Sequence, residues 1–179
     1  MIGSLYAGHL GRVCEVSVLA RREEHARALN EEGLQVSGRS DLTSSVEAAT
    51  DPGALPEPEL AIVATKGTEL AAVAERLEGY WKGAAVMTVQ NGLGAEEFFP
   101  GRRVISAVTF MSGTRHADTH VEYILDTETW LGPYGDAPYE LAEEVAALIV
   151  SSGLKARAFR DLRPAQWSKL IFNATVNTV

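Results

Sequence analysis

The stretch that decides the fold is residues 60–89, which read LAIVATKGTELAAVAERLEGYWKGAAVMTV. Its first five residues form a continuous apolar run, as expected for a strand covered on both faces. The middle of the stretch has helical periodicity, with Leu70, Val73 and Leu77 on one face. Residues 84–89 are a second apolar run. Strand, helix and strand in this order indicate an α/β fold with a largely parallel sheet.

The same alternation continues towards the N-terminus. The predicted elements there, in chain order, are a helix at 4–12, a strand at 14–20, a charged helix at 23–32, and short strands at 34–36 and 42–48. Gly33 is well placed to end the charged helix, because glycine is the usual residue just past a helix C-terminus.

Towards the C-terminus the pattern changes. The predicted elements are antiparallel strands at 104–114, 120–125 and 128–131, a helix at 138–152, a strand at 156–159, and a helix from residue 164 onward. Pro138 occupies a favoured first-turn position of its helix. The last helix reaches Val179 without a cap, so we expect further sequence beyond it.

Composition narrows the class of protein. The net charge of −8 argues against non-specific binding to nucleic acid or to an anionic membrane. Cys14 is the only cysteine, which excludes an intramolecular disulfide and argues against a cysteine-based zinc site. The N-terminus does not have the pattern of a signal peptide, and no apolar run approaches the ~18 residues of a spanning helix. We expect a cytoplasmic protein.

Four segments fall in an ordered set that covers nearly the whole chain: IGSLYAG (2–8), LARR (19–22), QNGLG (90–94) and LRPAQWSKLIFN (162–173). This set resembles the 2-dehydropantoate 2-reductase (ketopantoate reductase, ApbA/PanE) family. The resemblance implies a Rossmann-like, doubly wound, mostly parallel sheet that lacks its first strand. It implies an NADP-binding domain at 1–161 and, at 162–179, the first helix of a helical substrate domain, with the sequence cut short at both ends.

The first segment is similar to the tail of the dinucleotide-binding fingerprint G-x-G-x-x-G. In this interpretation Gly3 is the third glycine, and Gly3, Ser4 and Leu5 open the helix that faces the pyrophosphate. The first two glycines and the strand before them are absent from the sequence. The alternative is that Gly3 and Gly8 serve only to pack a helix against a sheet.

Two basic residues are further cofactor candidates. Arg21 follows a predicted strand, where an arginine accommodates the 2′-phosphate of NADP, and Arg22 is placed to assist. Lys66 follows the strand at 60–64, and the resemblance places it near the cofactor. The alternative is that Arg21, Arg22 and Lys66 are solvated surface residues that bind no cofactor.

The resemblance implies that Asn91 lies beside nicotinamide and substrate, although Asn-Gly is also a common turn signal. It implies that Lys169 donates to the substrate carbonyl and that Asn173 and Asn177 hold the substrate. The three residues on the last helix recur at helical spacing, so they share roughly one face. The alternative for Lys169 is an exposed lysine on an amphipathic helix.

The implied function is the NADPH-dependent reduction of 2-dehydropantoate to pantoate, in pantothenate and coenzyme A biosynthesis. The expected partner is a small 2-keto acid, with no nucleic acid and no membrane, and a homodimer is left open. The alternatives are an inactive remnant or interaction module of this fold, or a reductase of another 2-keto acid. His116 and His120 are four residues apart, but no third ligand is evident, so we expect no metal site.

Overall fold

The computed structural model describes residues 1–176, and these fall into two compact units. The first unit comprises residues 1–57, 110–128 and 148–155. The second comprises the rest of the described chain, at 58–109, 129–147 and 156–176. The chain therefore leaves the first unit and returns to it twice.

The elements of the first unit are α1 (Ile2–Leu10), β1 (Ser17–Leu19), α2 (Glu23–Glu32), β2 (Leu34–Gly38), β3 (Leu42–Ser44), β4 (Glu47–Ala49), β8 (Ser112–Arg115) and β9 (His120–Leu125). The strands β1 and β4 form a parallel pair. The other four form a mixed sheet in the order β3-β2-β9-β8, in which β2 and β9 are parallel. The predicted helices are confirmed here, and α2 ends at Gly33 as expected.

The core of the first unit is built on close packing of α1 against β2. Leu5 and Val36 are fully buried, and Tyr6 is 1% exposed. A Cβ atom at Gly8 would come within 2.5 Å of the Val36 side chain, so the helix can approach the strand this closely only with glycine there. The packing interpretation of Gly8 therefore holds.

The elements of the second unit are β5 (Leu60–Val63), α3 (Leu70–Leu77), β6 (Ala85–Thr88), β7 (Val104–Val108), β10 (Thr129–Tyr134), β11 (Ala156–Ala158) and α5 (Arg163–Val176). Their sheet has the order β11-β10-β7-β6-β5. The pairs β5–β6, β6–β7 and β10–β11 are parallel, and only β7–β10 is antiparallel. Val86, Met87, Ile105 and Leu131 are fully buried at its centre. The expectation of a largely parallel sheet is confirmed.

One helix has residues in both units. α4 (Tyr139–Ser151) belongs to the second unit up to Ala147 and to the first unit from Leu148. In the described part of the chain, no helix combines the length and the apolar character needed to cross a membrane.

Two predicted strands were wrong in extent. The strand expected at 104–114 is two strands, β7 and β8, which belong to different units, and β7 pairs parallel with β6 rather than only antiparallel. The strand expected at 42–48 is also two, because β3 and β4 join different sheets. Hydrophobic periodicity shows which residues are apolar. It does not show where one apolar stretch stops pairing with one strand and begins to pair with another.

Candidate functional site

A small recess lies at the carboxyl edge of the parallel strands in the second unit. In open α/β sheets this edge is where ligands bind. Ends of β6 and β7, the loop after β6, and helix α5 enclose it. Its lining consists of Thr88, Gln90, Gly92, Ala95, Glu96, Ala107, Val108, Gln166 and Lys169.

Lys169 projects from α5 into this recess. Only 8% of the residue is exposed, and its Nζ donates to the carbonyl oxygen of Thr109, just past the end of β7. Burial lowers the pKa of the Lys169 ammonium below its usual value of 10.5. The alternative of an exposed lysine on an amphipathic helix is therefore wrong. A buried ammonium at a sheet edge is a strong hydrogen-bond donor and a better acid than a lysine in water.

Gln90 spans the ends of two neighbouring strands. Its Nε2 donates to the carbonyl oxygens of Val63, at 2.8 Å, and Thr65, at 3.3 Å. Its buried Oε1 has no hydrogen-bond partner in the described structure. Buried polar atoms are nearly always paired, so this acceptor can take a hydrogen bond from a group outside the described residues, such as water or a ligand.

Glu96 is a second buried ionisable residue in the recess, 5% exposed. It lies in a 3-10 turn at Ala95–Phe98, directly after the QNGLG segment. Its Oε1 accepts hydrogen bonds from the Ser106 hydroxyl on β7 and from Gln166 Nε2 on α5, the latter at 3.0 Å. One carboxylate oxygen thus joins a loop, a strand and a helix.

The remaining predicted residues of this unit lie along the same elements. Asn91 is exposed, at the start of a loop in which Gly92 and Gly94 have φ angles of 100° and 85°. Such angles favour glycine, and they let the loop turn sharply away from β6. Asn173 is half-buried one turn after Lys169 on α5, and Lys66 is exposed just past β5. Asn177 lies outside the described residues.

In the first unit the predicted pyrophosphate contacts lie at the start of α1. Met1 is the N-cap, and no side chain caps the helix. The Leu5 N–H donates to the Met1 carbonyl at 3.1 Å, which closes the first turn. The N–H groups of Gly3 and Ser4 precede that bond, and the first amides of a helix have no partner within it.

The two adjacent arginines after β1 have different surroundings. Arg22 donates through Nη2 to both carboxylate oxygens of Asp118, at 2.8 and 2.7 Å. This hydrogen bond lowers the pKa of Asp118. Arg21 is exposed at the end of the strand. The suggested assistance of Arg22 in phosphate binding would require Arg22 to leave Asp118.

No cluster of three or more His, Cys, Asp or Glu side chains that could hold a metal ion occurs among residues 1–176. His116 pairs with Glu122 at 2.9 Å, and the His120 ring contacts the Ser37 hydroxyl at 2.7 Å. Both contacts lie within the first unit.

Sequence reasoning missed Gln90, Glu96 and Gln166 as parts of the recess, and it missed the Thr109 carbonyl as the acceptor of the Lys169 ammonium. Gln90 and Gln166 belong to the motifs quoted above, so their position was a usable signal. Glu96 stands beside Glu97 in a charged loop, and nothing in that context predicts burial. A backbone carbonyl carries no sequence signal at all.

Comparison with known proteins identifies the family of the chain. The family described as ketopantoate reductase PanE/ApbA matches residues 1–136. The chain is 30% identical to 2-dehydropantoate 2-reductase of Pyrococcus abyssi, over 99% of this chain and 60% of that protein. It therefore spans about 60% of the length of the curated relatives it matches.

Solved structures agree on the fold. A 2-dehydropantoate 2-reductase from Geobacter metallireducens GS-15 superposes with a TM-score of 0.86 at 29% identity, over 96% of this chain and 59% of that one. A ternary structure of D-mandelate dehydrogenase with NADH and anilino(oxo)acetate gives 0.88 at 21% identity, over 98% and 59%. The Rossmann-like α/β fold expected from the sequence is confirmed, including the helix that begins at its C-terminal end. Because the family model matches three-quarters of its residues, the chain belongs to the ketopantoate reductase PanE/ApbA family.

Proposed function

We propose that this chain binds NADPH and takes part in the reduction of 2-dehydropantoate to pantoate, a cytoplasmic step of pantothenate and coenzyme A biosynthesis. The observation that carries the proposal is the buried ammonium of Lys169 in a recess at the carboxyl edge of a parallel sheet. Family membership supports the class of reaction, because the relatives named above are reductases of this substrate.

In the proposed reaction Lys169 acts on the oxygen of the substrate ketone. When bound, the reduced nicotinamide supplies the hydride that adds to the ketone carbon. The C=O π electrons then move onto oxygen, and Lys169 Nζ stabilises the growing charge and transfers a proton to it. Because burial lowers the pKa of Lys169, it gives up that proton more readily than a solvated lysine would. We assign Asn91 to orienting substrate and nicotinamide, and Asn173 and Asn177 to holding the substrate.

Residues of each unit, taken separately, suit part of a phosphorylated dinucleotide. The unpaired Oε1 of Gln90 is an acceptor that a carboxamide N–H would satisfy. The first N–H groups of α1, at Gly3 and Ser4, suit a pyrophosphate. Leu5 contributes packing, since its N–H already donates to Met1. We assign the 2′-phosphate to Arg21, whose guanidinium matches phosphate geometry, and an additional charge contact to Lys66.

A second candidate is an NADH-dependent reductase of another 2-keto acid. The D-mandelate dehydrogenase structure of the same fold is a ternary structure with NADH and anilino(oxo)acetate. The fold itself therefore does not select NADPH or 2-dehydropantoate. In our proposal that choice rests on Arg21 and on residues of a helical substrate domain that starts at residue 162, after a nucleotide-binding domain at 1–161. Homodimer formation is a further, separate expectation.

Titration of NADPH and NADH against the purified 179-residue chain tests the proposal, with nicotinamide fluorescence as the readout. We expect NADPH to bind at least about tenfold more tightly than NADH. Arg21→Ala should weaken NADPH binding by about 10- to 100-fold and leave NADH unchanged, as expected for loss of a charge-assisted hydrogen bond of about 1.5–3 kcal/mol. Arg27→Ala, an exposed arginine of α2, is the matched control and should bind as wild type.

Equal affinity for the two cofactors would favour the NADH-dependent reductase. Absence of binding to either would favour an inactive remnant or interaction module.

A further inference from the structure

We propose that Glu96 is a positioning residue that holds Lys169 against the recess and fixes it relative to the loop that carries Asn91. This inference rests on the proposed function of Lys169 and Asn91. It starts from the observation that Glu96 is nine-tenths buried although it is a carboxylate in a surface-type loop sequence.

The hydrogen bonds of Glu96 reach both elements that position the Lys169 ammonium. Gln166 donates to Glu96 and lies three residues before Lys169 on α5, so the two side chains leave the same side of the helix. Ser106 also donates to Glu96 and lies three residues before Thr109, whose carbonyl receives the Lys169 ammonium. The carboxylate therefore anchors both the helix that carries the lysine and the strand that ends at its acceptor.

The third anchor is the loop itself. Glu96 follows Asn91 by five residues, across Gly92 and Gly94, both with positive φ. Asn91, Gly92 and Leu93, which lead from the strand into this turn, are exposed. The buried Glu96 ties this loop to β7 and to α5 through its hydrogen bonds, so the contact that anchors α5 beside Lys169 also limits the positions open to Asn91.

Stability alone does not explain a carboxylate at this position. Its two hydrogen-bond donors are a hydroxyl and an amide, and burying a carboxyl group without a paired cation is costly even when it is hydrogen-bonded. An apolar side chain would fill the space at a lower cost. What it could not do is hold three elements at once through one oxygen atom.

The test compares Glu96→Ala, Glu96→Gln and the control Glu97→Ala, an exposed acid in the same turn, in the full 179-residue chain. The kcat and KM for 2-dehydropantoate, the NADPH Kd and the thermal midpoint are measured for each. Glu96→Ala should lower kcat by about 10- to 100-fold, because a misplacement of about 1 Å costs roughly that much, while the NADPH Kd changes less than about twofold. Glu96→Gln keeps an oxygen that accepts both bonds, so it should retain kcat within about threefold.

A second readout needs no turnover. Acetic anhydride modifies accessible amines, and mass spectrometry measures modification of Lys169 relative to Lys155, whose side chain is 61% exposed. Glu96→Ala should raise the relative rate at Lys169 at least about threefold, since the helix is released from its anchor, whereas Glu96→Gln and Glu97→Ala should not.

The outcomes separate the two proposals. No turnover in the wild-type chain together with increased Lys169 modification in Glu96→Ala would reject the proposed function and leave the positioning role standing. An unchanged Lys169 modification rate in Glu96→Ala would overturn the positioning role. Equal losses of kcat in Glu96→Ala and Glu96→Gln would also overturn it, because the negative charge rather than the hydrogen bonds would then be what matters.

Discussion

The two compact units differ in whether they bury charged side chains. In the first unit Arg22 pairs with Asp118 at the surface, and 53% of the Arg22 side chain is exposed. In the second unit Lys169 and Glu96 are 8% and 5% exposed, among hydroxyl, amide and carbonyl groups. Surface ion pairs contribute about 0–1 kcal/mol, whereas buried charges cost several kcal/mol each unless they are well paired. The second unit therefore holds two buried ionisable side chains whose burial stability does not favour, and such residues are candidates for a functional site.

The largest expected effect comes from removing the buried ammonium. Lys169→Met keeps most of the side-chain volume and should lower turnover of 2-dehydropantoate by about 10²- to 10⁴-fold, because the proton donor is lost. The NADPH Kd should stay the same, and the thermal midpoint should stay equal or rise, since an apolar side chain replaces a desolvated charge. Steady-state kinetics and calorimetry measure these quantities.

The matched control is Lys155→Met, which removes an exposed lysine that pairs with Asp126 in the first unit. It should leave turnover unchanged. If Lys169→Met keeps more than a tenth of wild-type turnover, the buried lysine of the second unit is not the proton donor, and the proposed chemical role of that unit is wrong.

A second prediction compares two adjacent arginines within the second unit. Arg102 donates to the carbonyl oxygens of Leu77, the last residue of α3, and of Tyr80 and Trp81 just past it. Arg102→Ala should lower the free energy of unfolding by about 1–2 kcal/mol, as expected for half-buried bonds from a charged donor. Arg103→Ala loses one exposed bond to the Gly83 carbonyl and should cost less than about 0.5 kcal/mol. Urea unfolding of both variants is the measurement, and equal costs would contradict the structure.

A third prediction concerns a buried histidine in the first unit. His9 is 2% exposed, and burial lowers its pKa, with Arg12 adding to the effect against opposing contributions from the Ser152 carbonyl and Asp126. The unfolded chain therefore binds more protons than the folded chain just below pH 6.5. The free energy of unfolding should fall as the pH falls through 6.5 and level off once His9 is protonated in the folded state.

His9→Gln removes this titration. Its free energy of unfolding should change less with pH than that of the wild type between pH 7 and 5, measured by urea unfolding at several pH values. Identical pH dependence in the two proteins would show that His9 does not titrate differently on folding.

The smallest effect is expected at the surface pair of the first unit. Arg22→Ala, Asp118→Ala and the double variant form a cycle whose coupling free energy should be at most about 1 kcal/mol and should shrink in high salt. A coupling above about 2 kcal/mol would mean that this unit also depends on charge for its stability.

Much of the fold could be predicted because its signals are local. Helix α2 has acidic residues in its first turn and Gly33 at its end, and strand β5 is a short apolar run, so both were placed nearly at their observed bounds. The separation of β7 from β8 could not be predicted, because the chain passes between units within one apolar stretch and no turn residue marks the change. Family motifs pointed to Lys169, but only packing shows that it is buried.

Glu96 illustrates what lies beyond a single sequence. Its neighbour Glu97 indicates an exposed charged loop, whereas the hydrogen bonds that Glu96 makes when buried come from Ser106 and Gln166, which are 10 and 70 residues away. Contacts between residues so far apart in sequence follow no helical or strand periodicity, so a single sequence does not reveal them. The resemblance supplied the candidate residues, and the three-dimensional contacts supplied the arrangement around the lysine.

The most direct test of the account is the titration of Lys169 itself in the intact chain. Lysine labelled with ¹³C at Cε gives one resonance per side chain, and the resonance absent from Lys169→Met identifies this residue. We predict a midpoint clearly below 10.5, because the ammonium is desolvated in the recess. A midpoint at or above 10.5 would show that Lys169 is solvated or firmly paired with a carboxylate, and it would contradict the proposed proton donor.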